Sequence, residues 1–174
     1  MTTETDHVVA LWRLQSRYAD LVTRRAWAEL HEVFLPETTV HLDTVTNPPR
    51  SLVGPDAFAA FVGPAIERFD HFAFVILNTV VDLVVDGDDG APGDATAATG
   101  RIFMCEIRHD RATDSWPTAY GVYQDRYARI GARWWFAERR YRSWARAGPE
   151  TTVLGLPPEL AGPPWPATRP AQEA

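Results

Sequence analysis

The sequence predicts an α+β domain, a cone-shaped α+β barrel in which a curved, mostly antiparallel sheet wraps around a long N-terminal helix. Apolar residues recur at three- and four-residue spacing along residues 5–24, which is helix periodicity. Four long segments rich in β-branched and aromatic residues fill residues 72–144, with turn residues between them. A short helix–strand–strand–helix passage separates the two, so the helices collect on one face of an antiparallel sheet. At 174 residues the chain is long enough for one domain with a real core, and a split would leave two small halves.

In the first helix, expected from Thr5 to Arg24, Val9, Leu11, Trp12, Leu14, Tyr18, Leu21 and Val22 make one wide apolar face, and Asp6 is placed to cap the start. A short second helix carries Trp27, Leu30, Val33 and Phe34, and Pro36 ends it. Thr38 to Val45 alternates as a strand, Asn47, Pro48 and Pro49 turn the chain, and Ser51 to Val53 returns. Gly54 and Pro55 open a third helix, buried through Phe58, Phe61, Val62, Ile66 and Phe69. The long strands are Phe72 to Val85, Ala97 to His109, Ala119 to Ile130 and Arg133 to Trp144. Asp86-Gly87-Asp88-Asp89-Gly90 with Pro92-Gly93 reads as the loop between the first two, and Gly131-Ala132 as the tight turn between the last two. Residues 1–146 are therefore expected to form the cone domain. Residues 147–174 read as a proline-rich tail, extended over the surface through Leu154, Leu156 and Trp165 and dispensable for folding.

The formal net charge of −6, with no basic stripe interleaved with aromatics, excludes nucleic acid as the expected partner. Cys105 is the only cysteine, and no CxxC, His-x-His or His-Glu-x-x-His spacing exists, so neither a disulfide nor a metal is expected. No apolar run approaches the roughly 20 residues of a membrane helix. Met1 to His7 is polar and acidic, unlike a leader. A cytoplasmic protein with no cofactor and no membrane partner is the expectation. All 17 Lys+Arg residues are arginine, which excludes lysine Schiff-base chemistry.

Arg17-Tyr18-Ala19-Asp20, Trp27 through Pro36, Gly54-Pro55-Asp56-Ala57-Phe58, Tyr127-Ala128-Arg129-Ile130 and Arg133-Trp134-Trp135-Phe136-Ala137 carry a resemblance. Over about Thr5 to Arg146 the chain resembles the SnoaL-like group of the nuclear-transport-factor-two-like superfamily, relatives of scytalone dehydratase and ketosteroid isomerase. The resemblance implies a pocket at the open end of the cone. It leaves the activity open, because the superfamily holds dehydratases, isomerases, cyclases, hydrolases and non-catalytic binders. Against scytalone dehydratase, Tyr18 falls where that enzyme has a pocket-lining tryptophan. Its helix-borne Tyr-Asp pair falls on Val22 and Thr23. Its first catalytic histidine falls on His71 or, counting back from Asn78, on Phe74, and its second near Glu106 or Arg108.

Strand alternation sorts side chains into faces. Gly100, Ile102, Met104, Glu106 and Arg108 share one that the resemblance turns toward the pocket, and Gly121, Tyr123 and Asp125 share another similarly placed. Phe136, Glu138 and Arg140 group together, as do His41 and Asp43. The candidate catalytic residues are Glu106, Asp125, Tyr18, Tyr123, His71 and Asp43. The candidate ligand-binding residues are His41, Met104, Arg108, Phe74, Phe136 and Arg140. For the charged members, structural ion pairing is the competing reading. Tyr18 and Tyr123 read equally as core aromatics, His71 as a rim residue, and His41 with Asp43 as a dyad or as two neighbours facing water. His7, His31 and His109 read as surface positions.

These features predict a cofactor-independent lyase, isomerase or cyclase acting on a small, mainly apolar, ring-containing molecule of polyketide- or steroid-like type. A carboxylate would take a proton beside a carbonyl, and a tyrosine or arginine would stabilise the enolate oxygen. A non-catalytic binding protein and an interaction module like the small subunits of ring-hydroxylating dioxygenases are the alternatives. Tyr127, Trp135 and Tyr141 alternate onto the face opposite Phe136, which predicts a homodimer through an apolar outer sheet face.

Overall fold

The computed structural model describes residues 2–85, 95–149 and 151–156. The loop expected at Asp86–Gly93 and the tail residue Trp165 lie outside them. Helix α1 spans Glu4–Arg24 and is capped by Thr3 rather than Asp6. The Thr3 hydroxyl accepts from the Asp6 amide at 3.2 Å, and the Asp6 carboxylate accepts from the Thr3 amide at 2.8 Å, a reciprocal capping box. A short 3-10 helix follows at Trp27–Glu32. Next come β1 (Phe34–Asp43), β2 (Arg50–Val53), α2 (Gly54–Glu67), β3 (Phe69–Val84), β4 (Ala97–Asp110), β5 (Thr118–Ile130), β6 (Arg133–Ala147) and β7 (Thr152–Val153). Pro36 does not end a helix. It lies inside β1, in the stretch between Phe34 and Thr39 where the pairing with β6 shifts, a place where a residue without an N–H is tolerated.

The strands run in the order β2-β1-β6-β5-β4-β3. Every pairing is antiparallel except β1 with β6. β7 pairs with β6 at Ala145 and Arg146, beyond the point where β1 has ended. The register skips Asp70 and Leu77 in β3, and Ala137 and Trp144 in β6. Each such bulge bends and twists its strand, which curls the sheet around α1. Helix α1 lies against β3 and β6, and α2 against β1. The buried face of α1 is Leu11, Leu14, Tyr18, Leu21 and Val22 together with His7 and Gln15, while Val9 and Trp12 stay exposed. His7 is therefore no surface residue; its Nδ1 accepts from the indole N–H of Trp134 at 3.2 Å.

The bulge at Ala137 corrects the facing expected for β6. Side chains alternate, so one extra residue reverses everything beyond it. Phe136 faces inward, but Arg139, Tyr141 and Ser143 do as well, all of them buried. Glu138 and Arg140 turn outward and pair with each other at 2.7 Å. Tyr127 and Tyr141 are inner-face residues, so the apolar outer patch expected from them with Trp135 does not form.

The centre of the core is polar. Asp125 and Arg139 are fully buried and directly paired across β5 and β6. Arg139 Nε donates to Asp125 Oδ1 at 2.9 Å and Nη2 donates to Oδ2 at 3.1 Å. From α1, the Gln15 amide donates to Asp125 Oδ2 at 2.7 Å and also to the Tyr127 hydroxyl, which itself donates to Asp125 at 3.1 Å. The guanidinium carbon of Arg139 lies 4.0 Å from the ring centre of Tyr18 and 4.1 Å from those of Tyr123 and Phe136. An arginine caged by three rings and a bidentate carboxylate keeps its proton, with burial opposing and Asp125 favouring the charge.

Breaking this pair from one side should leave an uncompensated buried charge. Asp125→Ala and Arg139→Ala are each expected to cost about 3–5 kcal/mol in urea unfolding. The double variant should lose clearly less than the sum of the two. Additive losses would mean that the pair is not the coupled unit described.

Candidate active site

The inner face opens into a cavity of about 210 Å³ between the sheet and the helices. Its wall is built from rows of residues paired across neighbouring strands. One row runs Phe74–Glu106–Ala119–Arg146 over β3, β4, β5 and β6. The next runs Ile76–Met104–Gly121–Ser143. Ala119 and Gly121 are the small members; of these two rows Phe74, Glu106, Ala119, Arg146 and Ser143 line the hollow, while Ile76, Met104 and Gly121 lie outside its lining. A Cβ on Gly121 would sit 2.1 Å from Tyr141 Cε2, so glycine is what lets the Tyr141 ring cross the neighbouring strand into the cavity. Helix α1 contributes Tyr18 and Val22, α2 contributes Phe58, Phe61, Val62, Ala65 and Ile66, and Leu42 and Thr44 close one side.

Glu106 is the only carboxylate among the described lining residues. Its side chain is 23% exposed, and that exposure is toward the cavity. Burial pushes its carboxyl above the ordinary glutamate value, against the pull of Arg108 and Arg146. Arg108 Nη1 lies 3.6 Å from Glu106 Oε2, a loose ion pair, and burial pulls the Arg108 guanidinium down. Three phenols face the same space. The Tyr18 and Tyr123 ring centres lie 6.3 Å apart, and burial raises both phenols, Tyr123 well above a free phenol. The Tyr141 hydroxyl is 2.9 Å from Ser143 Oγ and is pushed up to about 12, again by burial first. All three are therefore protonated at neutral pH and available as hydrogen-bond donors.

Of the residues expected from sequence, Tyr18, Phe74, Glu106, Arg108 and Tyr123 line this cavity. The others do not. Asp125 belongs to the sealed core pair. It cannot meet Glu106, because Gly100 faces Asp125 whereas Ala119 faces Glu106, six positions along β4. Met104 and Phe136 are fully buried in the core and do not line the cavity. Arg140 is on the outer face for the reason given above. His41 and Asp43 are there too, and they form no dyad. His41 bonds Ser51 Oγ at 2.8 Å and Glu138 at 3.2 Å, while Asp43 pairs with Arg142 at 3.2 Å. His71 is exposed beside Trp116, ring centres 5.2 Å apart, because the bulge at Asp70 turns it outward and leaves Phe72 and Phe74 facing in. Val22 lines the cavity with no polar group, and the Thr23 hydroxyl accepts from the Phe74 amide at 3.0 Å. The sequence reading missed Tyr141, Ser143, Arg146 and Arg68. The signal was Gly121, a glycine inside a strand, where a side chain from the next strand can cross. Among the described residues no group of three or more His, Cys, Asp or Glu comes together to hold a metal, and no helix is long and apolar enough to cross a membrane.

A family model described as a SnoaL-like domain matches residues 3–140, the helices and nearly all of this cone. The chain belongs to the SnoaL-like domain family. No curated protein matches its sequence. Solved structures similar to this SnoaL-like chain include a candidate scytalone dehydratase from Novosphingobium aromaticivorans, 18% identical, with a TM-score of 0.68 over 86% of this chain and 91% of that one. A hexachlorocyclohexane dehydrochlorinase, LinA type 2, is 13% identical, with a TM-score of 0.68 over 87% and 94%. The Kfla4162 protein of Kribbella flavida is 19% identical, with a TM-score of 0.66 over 83% and 94%. These likenesses establish the cone fold of the SnoaL-like chain.

The raised Glu106 carboxyl has a measurable consequence. Folding holds its proton more tightly than the unfolded chain does, so its contribution to stability is full below the ordinary value of 4.5 and is lost as pH rises through the folded value. Glu106→Gln removes that loss. Its melting temperature should exceed that of the parent at pH 7, and the gain should vanish as pH falls toward 4.5. A large melting drop at pH 7 would instead make Glu106 a structural partner of Arg108.

Proposed function

We propose that this SnoaL-like chain is a cofactor-independent lyase or isomerase, working by general acid–base catalysis on a small, mainly apolar, ring-containing molecule in the cavity. The observation that carries this reading is Glu106, a carboxylate of raised proton affinity in an aromatic wall beside three protonated phenols. Such a group is poised to take a proton from a carbon next to a carbonyl. The Tyr141 or Tyr123 hydroxyl then donates a hydrogen bond to the enolate oxygen. In an isomerase the proton returns from Glu106 to a different carbon. In a lyase the enolate's electron pair expels a leaving group from the neighbouring carbon. Two structural neighbours are named for eliminations, of water and of hydrogen chloride, which agrees with the second course.

Size narrows the substrate. A cavity of about 150 Å³ takes benzene, so 210 Å³ suits one substituted ring or two small ones rather than a four-ring skeleton. A second reading, binding without turnover, is favoured by Val22 and Thr23, which stand where the resemblance to scytalone dehydratase puts its Tyr-Asp pair.

Proton abstraction can be tested without knowing the product. One- and two-ring enolisable ketones incubated with the protein in D2O should exchange their α-protons, followed by NMR. The rate should rise with pH as Glu106 deprotonates and then level off. Glu106→Gln should lower it by about 10²–10⁴-fold, and Tyr141→Phe should lower it less. Ketones that bind but do not exchange would establish the binding reading instead.

A further inference from the structure

We propose that the molecule held in this cavity is a monoanion carrying a carboxylate, gripped by Arg108 and Arg146 while its ring lies against Phe58, Phe61 and Phe74. The inference rests on the cavity being the binding site, and it adds the charge of the ligand.

The chain carries a net charge of −6, yet among the described residues the charged ones that line the cavity are three arginines, Arg68, Arg108 and Arg146, against the single carboxylate of Glu106. Arg68 is matched by Asp110 at 3.3 Å. Two guanidinium groups then share one carboxylate, which leaves one positive charge uncompensated among the described residues. The contacts say the same. Arg146 Nη2 donates to the Thr44 carbonyl at 3.3 Å, a neutral partner. Arg108 stays 3.6 Å from Glu106, beyond a hydrogen bond, although its side chain is only 17% exposed. Arg108 Nε is buried and has no hydrogen-bond partner.

A half-buried guanidinium without a close anion is unfavourable unless something else supplies the charge and the acceptors. The Phe69 ring, 5.1 Å from the Arg108 guanidinium carbon, holds the plane without satisfying its N–H groups. The missing partner has the description of a planar, singly charged, two-oxygen acceptor, which is the shape a guanidinium fork fits. Arg146 stands on the same inner-face row as Glu106 with only Ala119 between them, so the gap that the acceptor would fill lies over a methyl group. Small size and aromatic walls set the rest of the ligand.

The probes are 2-naphthoate and 2-naphthamide, equal in shape and different in charge, titrated into the intact protein and followed by calorimetry and protein NMR. Naphthoate should bind at least about 10-fold more tightly than the amide, as expected when hydrogen bonds to a charged group replace neutral ones. Arg108→Met should erase most of that preference, and Arg108→Lys, which keeps the charge and loses the fork, should retain part of it. Arg146→Gln provides a second arm should Arg108→Met fold poorly. Equal affinity for acid and amide in the parent protein would overturn the inference while leaving the cavity as the binding site. Binding of neither compound, or perturbation confined to the outer sheet face, would overturn both the inference and the cavity reading.

Discussion

One buried ion pair organises this molecule. Asp125 and Arg139 face each other across β5 and β6 with both side chains fully excluded from solvent. Two charges taken out of water are tolerable only when geometry and further hydrogen bonds compensate them. Gln15 and Tyr127 complete the carboxylate, and the three rings around the guanidinium complete the cation. These demands reach into separate parts of the chain. They seat α1 against the sheet through Gln15, fix the register of the last hairpin, and set the planes of Tyr18 and Tyr123. Both of those tyrosines also line the cavity, so the polar core is the floor on which the site stands.

The same fold therefore puts two carboxylates from adjacent strands into opposite environments. Asp125 has a bidentate arginine, an amide and a phenol. Glu106, six positions along β4 from the residue that faces Asp125, has a loose arginine and a cavity. Full compensation makes the first a fixed part of the structure, while incomplete compensation leaves the second with a raised proton affinity and freedom to exchange its proton. In the proposed reading, proton transfer would fall to Glu106 at the cavity, and the interior charge that holds the strands together would take no part in it.

The order of elements was legible in the sequence because periodicity reports it directly. The α1 stripe, the Gly54-Pro55 start of α2, the Gly131-Ala132 turn and the four long strands all lie within a few residues of their observed positions, whereas Pro36 falls inside β1 instead of ending a helix. Faces were legible only where strands stay regular. Along β4 and the first part of β5 simple alternation places Glu106, Arg108 and Tyr123 correctly. In β6 the extra residue at Ala137 reverses the phase, so simple alternation turns Arg140 inward and turns Arg139 away from the core and Tyr141 away from the cavity. A bulge is a response to curvature imposed by partner strands, and Trp135-Phe136-Ala137-Glu138 carries no local mark of it. Two marks were nevertheless present. Gln15 interrupts the apolar stripe of α1, and a polar residue there needs a buried partner. Gly100 and Gly121 interrupt strands, and each admits a tyrosine ring from the next strand, Tyr127 and Tyr141 respectively.

Those glycines tie the shape of the cavity to the chemistry proposed for it. Where Gly100 faces inward, Tyr127 fills the space and donates to Asp125, so the interior is closed. Where Gly121 faces inward, Tyr141 leans over it, and beyond it Ala119 lines the cavity. A sheet this curved would normally fill its concave face to native density. Here the filling stops at one row, between Glu106 and Arg146, and the unfilled row is the one whose charges do not balance. A void there is costly on packing grounds and an unmatched guanidinium is costly on electrostatic grounds. A single bound molecule with an apolar ring and an anionic end, as proposed above, would remove both costs together.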